Sequence, residues 1–210
     1  MSEQPKSKLT WAERRERIKK SKRNLFLMVS LQVFEEKGYN HTRIIDIAER
    51  AGTSVGSFYF YFNNKEELLE EILWKYSDLF MKRLKRETNK KNPPISDLRR
   101  LFLDYAIIFK ERKNLGLIFL EQLGGINKKF ASMKTKLIND WCKEFEDIII
   151  KLRNNEISKG LETELYSRMW VGALLELVHW WMLSNFNHDV ETLADIATNI
   201  GLNGIYGLKN

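Results

Sequence analysis

Residues 42–62 read Thr42-Arg43-Ile44-Ile45-Asp46-Ile47-Ala48-Glu49-Arg50-Ala51-Gly52-Thr53-Ser54-Val55-Gly56-Ser57-Phe58-Tyr59-Phe60-Tyr61-Phe62. Thr42 is placed to cap a short helix running to about Ala51, and Gly52-Thr53-Ser54 makes a tight turn. A further short helix follows over 55–62. This is the layout of a helix-turn-helix, whose second helix enters a DNA groove by its N-terminal residues. Ser54, Val55, Gly56 and Ser57 supply the small, polar end that such a helix needs against base edges. Phe58 and Phe62 are the expected inward anchors. The rings of Tyr59 and Tyr61 can pack while their hydroxyls reach phosphates. Thr42 and Arg43, at a helix N-terminus, suit a further phosphate. Lys65 stands at the start of the next helix, within reach of the DNA backbone.

Working toward the N-terminus, Leu25, Met28, Val29 and Val33 fall on one helical face, and that helix ends at Lys37-Gly38. Thr10-Trp11-Ala12-Glu13 reads as a capping box. Trp11, Ile18 and Leu25 recur every seven residues, so the basic segment 14–23 can run straight into that helix. Residues 1–9 read as a flexible arm. Charge is concentrated here. Residues 1–65 carry 13 Lys and Arg against 7 Asp and Glu, which places nearly all of the net +7 in the first third of the chain. A polyanion is the natural partner of that third. Lys6, Lys8, Arg14, Arg15, Arg17, Lys19, Lys20, Lys22 and Arg23 make the extension strongly basic. It is expected to add contacts to flanking phosphates or the minor groove, against the alternative of a solvated helix that touches nothing.

The set Phe34-Glu35-Glu36-Lys37-Gly38-Tyr39, Thr42, Asp46-Ile47-Ala48, Ala51-Gly52-Thr53-Ser54, Gly56-Ser57-Phe58-Tyr59-Phe60-Tyr61-Phe62 and Lys65-Glu66-Glu67-Leu68-Leu69 closely resembles the DNA-binding domain of the TetR family. The resemblance covers about residues 23–73. It implies an all-helical homodimer of about nine helices per chain. It also implies palindromic operator DNA as partner, and release by a small molecule held in the C-terminal part. Thr42, Arg43, Ser54, Val55, Gly56, Ser57, Tyr59, Tyr61 and Lys65 match the family's DNA-facing positions. Arg43 replaces a small hydroxyl residue and Tyr61 a frequent histidine, and both replacements still suit phosphate.

The remaining chain reads as helices throughout, so the fold class is all-α. Asn64-Lys65-Glu66-Glu67 opens a long helix to about Glu87, with Leu68, Leu69, Ile72, Leu73, Tyr76 and Leu79 on its apolar side. Three domains are expected: a basic extension (1–22), the helix-turn-helix domain (23–73, its fourth helix continuing to about 87 as connector and lever), and a ligand-binding and dimerisation domain (88–210). Residues 89–94 and 154–160 read as loops. Ser96 is placed to cap a helix striped with Leu98, Leu101, Phe102, Tyr105 and Phe109. A short apolar piece over 115–123 ends at Gly124-Gly125. Phe130, Met133, Leu137, Trp141, Phe145, Ile148 and Leu152 keep helical spacing over about six turns.

Two helices follow, over about 162–184 and 189–206. The first is apolar around nearly its whole circumference, from Trp170 and Val171 to Met182 and Leu183. Such a helix must be covered on all sides, which implies a second copy of the chain. Leu193, Ala197, Ile200, Gly201 and Gly204 would let another helix approach the last one closely. Glu176 and His179 are left open between mutual pairing, a pocket and an interface. Candidate walls for a lipophilic effector are Phe102, Tyr105, Phe109, Phe119, Met133, Leu137, Trp141, Phe145, Trp170, Leu174 and Leu177, with plain core as the competing reading for each. Residues 160–204, with Gly172 and Trp180-Trp181, loosely resemble the acyl-CoA-responsive fatty-acid-degradation regulators of the same family. That points to long-chain acyl-CoA, with an aromatic multidrug-type ligand as rival and control by a protein partner as a further alternative. Lys128, Lys129, Lys134 and Lys136 could meet the phosphates of CoA.

Other classes are poorly served. His41, His179, His188 and Cys142 lack metal-ligand spacing, and no phosphate loop or nucleophile elbow occurs, so neither an enzyme nor a cofactor or metal site is expected. One cysteine forms no internal disulfide, and no signal-like or membrane-length apolar segment appears, so the cytoplasm is the expected compartment.

Overall fold

The computed structural model describes residues 10–89, 95–152 and 161–207. The arm predicted over 1–9 and the loop residues 90–94 and 154–160 lie outside them. The described residues hold ten α-helical segments and no strand: α1 Trp11–Lys37, α2 Ile44–Arg50, α3 Val55–Tyr61, α4 Lys65–Thr88, α5 Ile95–Glu111, α6 Lys113–Leu117, α7 Leu123–Ile126, α8 Lys128–Leu152, α9 Leu161–Leu183 and α10 Val190–Gly207. A π turn, Ile118–Gln122, joins α6 to α7 in one run, so the helices among the described residues number nine, as the family resemblance implies. The chain divides into two compact units, residues 1–72 and 73–210, with α4 contributing to both.

In the first unit, α1 is one helix of 27 residues. Its capping box forms as the sequence dictates. Thr10 Oγ1 accepts from Glu13 N–H at 3.3 Å, and Glu13 accepts from Thr10 N–H at 2.7 Å. The buried face differs from the expected stripe. Phe26, Leu27, Val29, Leu31, Val33 and Phe34 are buried, while Met28 is exposed. Phe26 and Phe34 meet aromatic partners on two sides, and those contacts turn the helix away from the seven-residue stripe that begins at Trp11.

At α2, Arg43 rather than Thr42 is the N-cap, and Asp46 reaches back to accept from Arg43 N–H at 2.8 Å. Thr42 is buried and donates its hydroxyl hydrogen to the Gly38 carbonyl at 2.8 Å, which removes it from capping. Gly52 sits at φ 63°, the left-handed conformation that the α2–α3 turn requires. Ser54 caps α3, accepting from Ser57 N–H at 3.1 Å, and Asn64 caps α4, accepting from Glu67 N–H at 2.8 Å.

The second unit packs α8 along α9 and α10 along α5. α8 buries every apolar position predicted through Ile148. On α4 the sides are reset: Phe80 and Ser77 are buried and Leu79 is exposed. Trp170 is the centre of an aromatic core, 4.9 Å from Phe102 and 5.1 Å from Phe145 between ring centroids. Gly201 of α10 lies against that indole, so the small residue serves contact inside the chain rather than with another copy. A Cβ at Gly201 would come within 2.1 Å of Trp170 Cζ2. The buried ring has aromatic neighbours and no room to yield. Gly201→Ala is therefore expected to cost about 1–3 kcal/mol through overpacking. Urea unfolding followed by circular dichroism measures this, and an unchanged midpoint would refute the close contact.

Candidate nucleic-acid interface and apolar cavity

The first unit presents α3 on an aromatic seat. Phe58 and Phe62 are almost wholly buried. The Phe26 ring of α1 meets them at 5.6 and 6.4 Å, and Tyr61 at 5.6 Å. Arg23 locks this seat from the outside. Its guanidinium stacks 4.1 Å over Phe62, donates to the Tyr61 carbonyl and pairs with Glu71 at 2.7 Å. A helix of seven residues is not stable alone, so this seat, not local propensity, makes α3.

With Phe58 and Phe62 turned inward, Ser54, Gly56 and Tyr59 are exposed and Val55, Ser57 and Tyr61 are half-buried. A Cβ at Gly56 would meet nothing nearer than Ser54 Oγ at 3.8 Å, so neither packing nor backbone conformation calls for glycine there. Arg43 is exposed beside Asp46. The Arg43 and Lys37 side chains and the Arg43 N–H hold the Asp46 carboxyl well below the usual carboxylate range. Two candidates turn inward. Thr42 is buried, and Lys65 donates to the carbonyls of Tyr39 at 3.1 Å and Thr42 at 3.3 Å while lying 4.5 Å over the Tyr39 ring.

One residue of this face escaped the sequence reading. Phe60 is 71% exposed near the C-terminal end of α3. Its signal was the alternation Phe58-Tyr59-Phe60-Tyr61-Phe62, in which only two of the three phenylalanines fit inside a helix seated on one side. Ahead of Arg23, α1 continues as a basic helix in which Arg15, Arg17, Lys19, Lys20 and Lys22 are all exposed.

The second unit contains two neighbouring apolar cavities. The larger encloses about 520 Å³, part of it open to solvent, and is walled by α4, α5, α8 and the run from α6 into the π turn. The smaller, about 250 Å³, is bounded by Phe102, Phe145, Val171 and Leu174. Phe80, Tyr105 and Trp141 line both. Of the predicted walls, Tyr105, Phe109, Phe119, Leu137 and Trp141 line the larger cavity, and Phe102, Phe145 and Leu174 the smaller. Met133, Trp170 and Leu177 line neither; Leu177 packs instead against the Trp181 cluster. The sequence reading missed the whole α4 contribution, Leu73, Tyr76, Ser77 and Phe80, and Arg112 at the opening, which donates to Tyr76 Oη at 2.8 Å. Lys134 donates to the Leu120 carbonyl at 2.6 Å, and Lys136 lies over Trp74.

On α9, Leu165, Met169, Trp180 and Leu183 are exposed, as are Ile196 and Ile200 on α10. His179 lies 2.8 Å from Glu121 of the π turn and 3.7 Å from the exposed Glu176.

Residues 20–72 match the family model described as bacterial regulatory proteins, tetR family. The fatty acid metabolism regulator protein of Bacillus subtilis is 22% identical over 191 residues, which span 89% of this chain and 98% of its own. The HTH-type transcriptional repressor KstR2 of Mycobacterium tuberculosis is 32% identical over 167 residues, which span 77% of this chain and 82% of its own. The crystal structure of the transcriptional regulator FadR from Bacillus subtilis in complex with stearoyl-CoA has a TM-score of 0.74 at 21% identity, covering 86% of this chain and 97% of that one.

Phe60 is exposed, so Phe60→Ala is expected to change stability by no more than about 0.5 kcal/mol. An aromatic ring at this place can meet a thymine methyl group. The substitution should weaken binding to the duplex upstream of the gene by about tenfold, the size of one base contact. Fluorescence anisotropy reads this, and equal affinities would remove Phe60 from the interface.

Proposed function

This chain belongs to the tetR family of bacterial regulatory proteins, and from that premise we propose that it is a dimeric transcriptional repressor, bound to a palindromic operator and released by a long-chain acyl-CoA. The family comprises transcriptional regulators, not enzymes. The observation that carries the proposal is the coexistence of an exposed α3 face with an apolar cavity in the second unit. The first suits base edges. Gly56, free of any packing demand, leaves room for the close approach of a nucleic-acid backbone, and Tyr59 and Phe60 stand beside it. The cavity has the apolar lining of a small-molecule site. The relative named a repressor supports repression, and the neighbour that holds stearoyl-CoA supports an acyl thioester as effector.

Dimerisation is supported by the exposed apolar stripe. Met169 is 71% exposed and Ile200 64%, on the two helices that end the chain, with Leu165, Trp180, Leu183 and Ile196 beside them. Large apolar side chains exposed together on two helices suit an interface. A second copy, presenting the same stripe, covers it symmetrically. Two α3 helices then read half-sites about one helical turn apart. An effector that binds better to a dimer with the wrong α3 spacing shifts the population away from DNA.

Two outcomes test this reading. Anisotropy on the duplex upstream of the gene, with excess nonspecific competitor, should show specific binding that stearoyl-CoA reverses; specific binding unaffected by it would discard the effector. Ile200→Glu sets a charge on the stripe and should shift sedimentation equilibrium from dimer to monomer, with operator affinity falling by at least about tenfold. A variant that remains dimeric would move the interface elsewhere.

A further inference from the structure

The boundary between the two cavities carries a reading that rests on the effector site proposed above. Phe80, Tyr105 and Trp141 form it, with ring centroids 5.2 Å apart for Phe80–Trp141, 5.3 Å for Phe80–Tyr105 and 6.4 Å for Tyr105–Trp141. The Tyr105 hydroxyl and the Trp141 Nε1–H are fully buried and have no hydrogen-bond partner among the described residues. This chain satisfies comparable groups elsewhere. Trp181 Nε1–H donates to the His188 carbonyl at 2.8 Å, the Tyr166 hydroxyl donates to the Gly201 carbonyl, and the Tyr39 hydroxyl reaches Glu66 at 3.0 Å. Two orphaned polar groups, carried by residues that line both cavities, mark a place that a ligand atom completes.

The chemistry of that atom follows from the donors. An indole N–H only donates, and a phenol can donate beside it. Together they ask for an oxygen acceptor. Burial pushes the Tyr105 phenol above its ordinary range, so it keeps its proton. No charged residue among the described residues lines the smaller cavity. Among the described residues, Arg112 is the one charged residue lining the larger cavity, at its opening and bonded to Tyr76, and Lys134 is committed to the Leu120 carbonyl. A carboxylate at the partition would lose its hydration with no cation to replace it. A carbonyl loses far less and gains two donors.

We propose that Tyr105 and Trp141 hold the neutral carbonyl oxygen of a lipophilic acyl derivative, a thioester or ester, and so select it over the free fatty acid. The partition thereby sets specificity by hydrogen bonding, while the two cavities supply apolar area.

Isothermal titration of the full chain tests this with three probes kept below micelle-forming concentrations: palmitoyl-CoA, its thioether analogue S-hexadecyl-CoA, and palmitate. The thioether keeps the charges and the chain but lacks the carbonyl. Wild type is expected to bind palmitoyl-CoA about tenfold tighter than either other probe. Tyr105→Phe should erase most of the difference between thioester and thioether. It should not lower the thermal midpoint of the ligand-free protein, because the hydroxyl that it removes has no partner to lose. Equal binding of thioester and thioether by wild type overturns the anchor and leaves the acyl effector standing. So does a Tyr105→Phe variant that weakens both CoA probes alike or lowers the ligand-free midpoint. No binding of either CoA probe by wild type removes the acyl effector and the anchor together.

Discussion

The contact of Phe26 with Phe58 and Phe62 is the constraint from which the exposed face of α3 follows. A seven-residue helix has too few internal hydrogen bonds to offset its own ordering, so α3 exists because two of its aromatic rings are buried against α1. Burying each ring contributes about 1.5–3 kcal/mol. The same contact fixes the rotation of α3 about its axis. Once Phe58 and Phe62 point inward, Ser54, Gly56, Tyr59 and Phe60 have no direction left but outward. Arg23 over Phe62 and Lys65 over Tyr39 then close the edges of that aromatic layer with cations that also satisfy backbone carbonyls.

Much of this was legible in the sequence because it is local. The Thr10–Glu13 box, the Asn64 cap and the α8 stripe through Ile148 depend on residues within one or two turns of one another, and the structure has all of them. Where the outcome depends on contacts between elements, spacing alone misleads. Met28 and Phe26 belong to the same amphipathic helix, and only the aromatic neighbours on α3 and at its C-cap decide that Phe26 is buried. Thr42 has the chemistry of a cap, yet the Gly38 carbonyl claims its hydroxyl and Asp46 caps α2 from the other side. Gly201 was legible as a close approach but not as an approach to Trp170 of the same chain. The π turn has no local signature in Ile118–Gln122.

The candidate site divides along the same line. Residue type and periodicity identified the aromatic walls on α5 and α8, because those helices turn one apolar face to the interior. They missed Ser77, Phe80 and Arg112, whose place at the cavity depends on how α4 and the α5–α6 junction lie against α8. They also offered no way to see that Tyr105 and Trp141 keep unpaired polar atoms. Whether a buried donor finds a partner depends on the whole packing arrangement. A buried polar atom without a partner costs stability, and that loss is intelligible if binding recovers it.

The Arg23 clamp has a consequence on the evolutionary scale. Its partners, Tyr61, Phe62, Glu67 and Glu71, all belong to residues 1–72, as does every ring in the aromatic seat. The reading head is thus closed by its own side chains. Substitutions in the second unit leave every partner of that clamp unchanged, so the two units can diverge at different rates. The family model reaches only residues 20–72. A lineage can exchange the molecule to which it listens while keeping the hand with which it holds DNA.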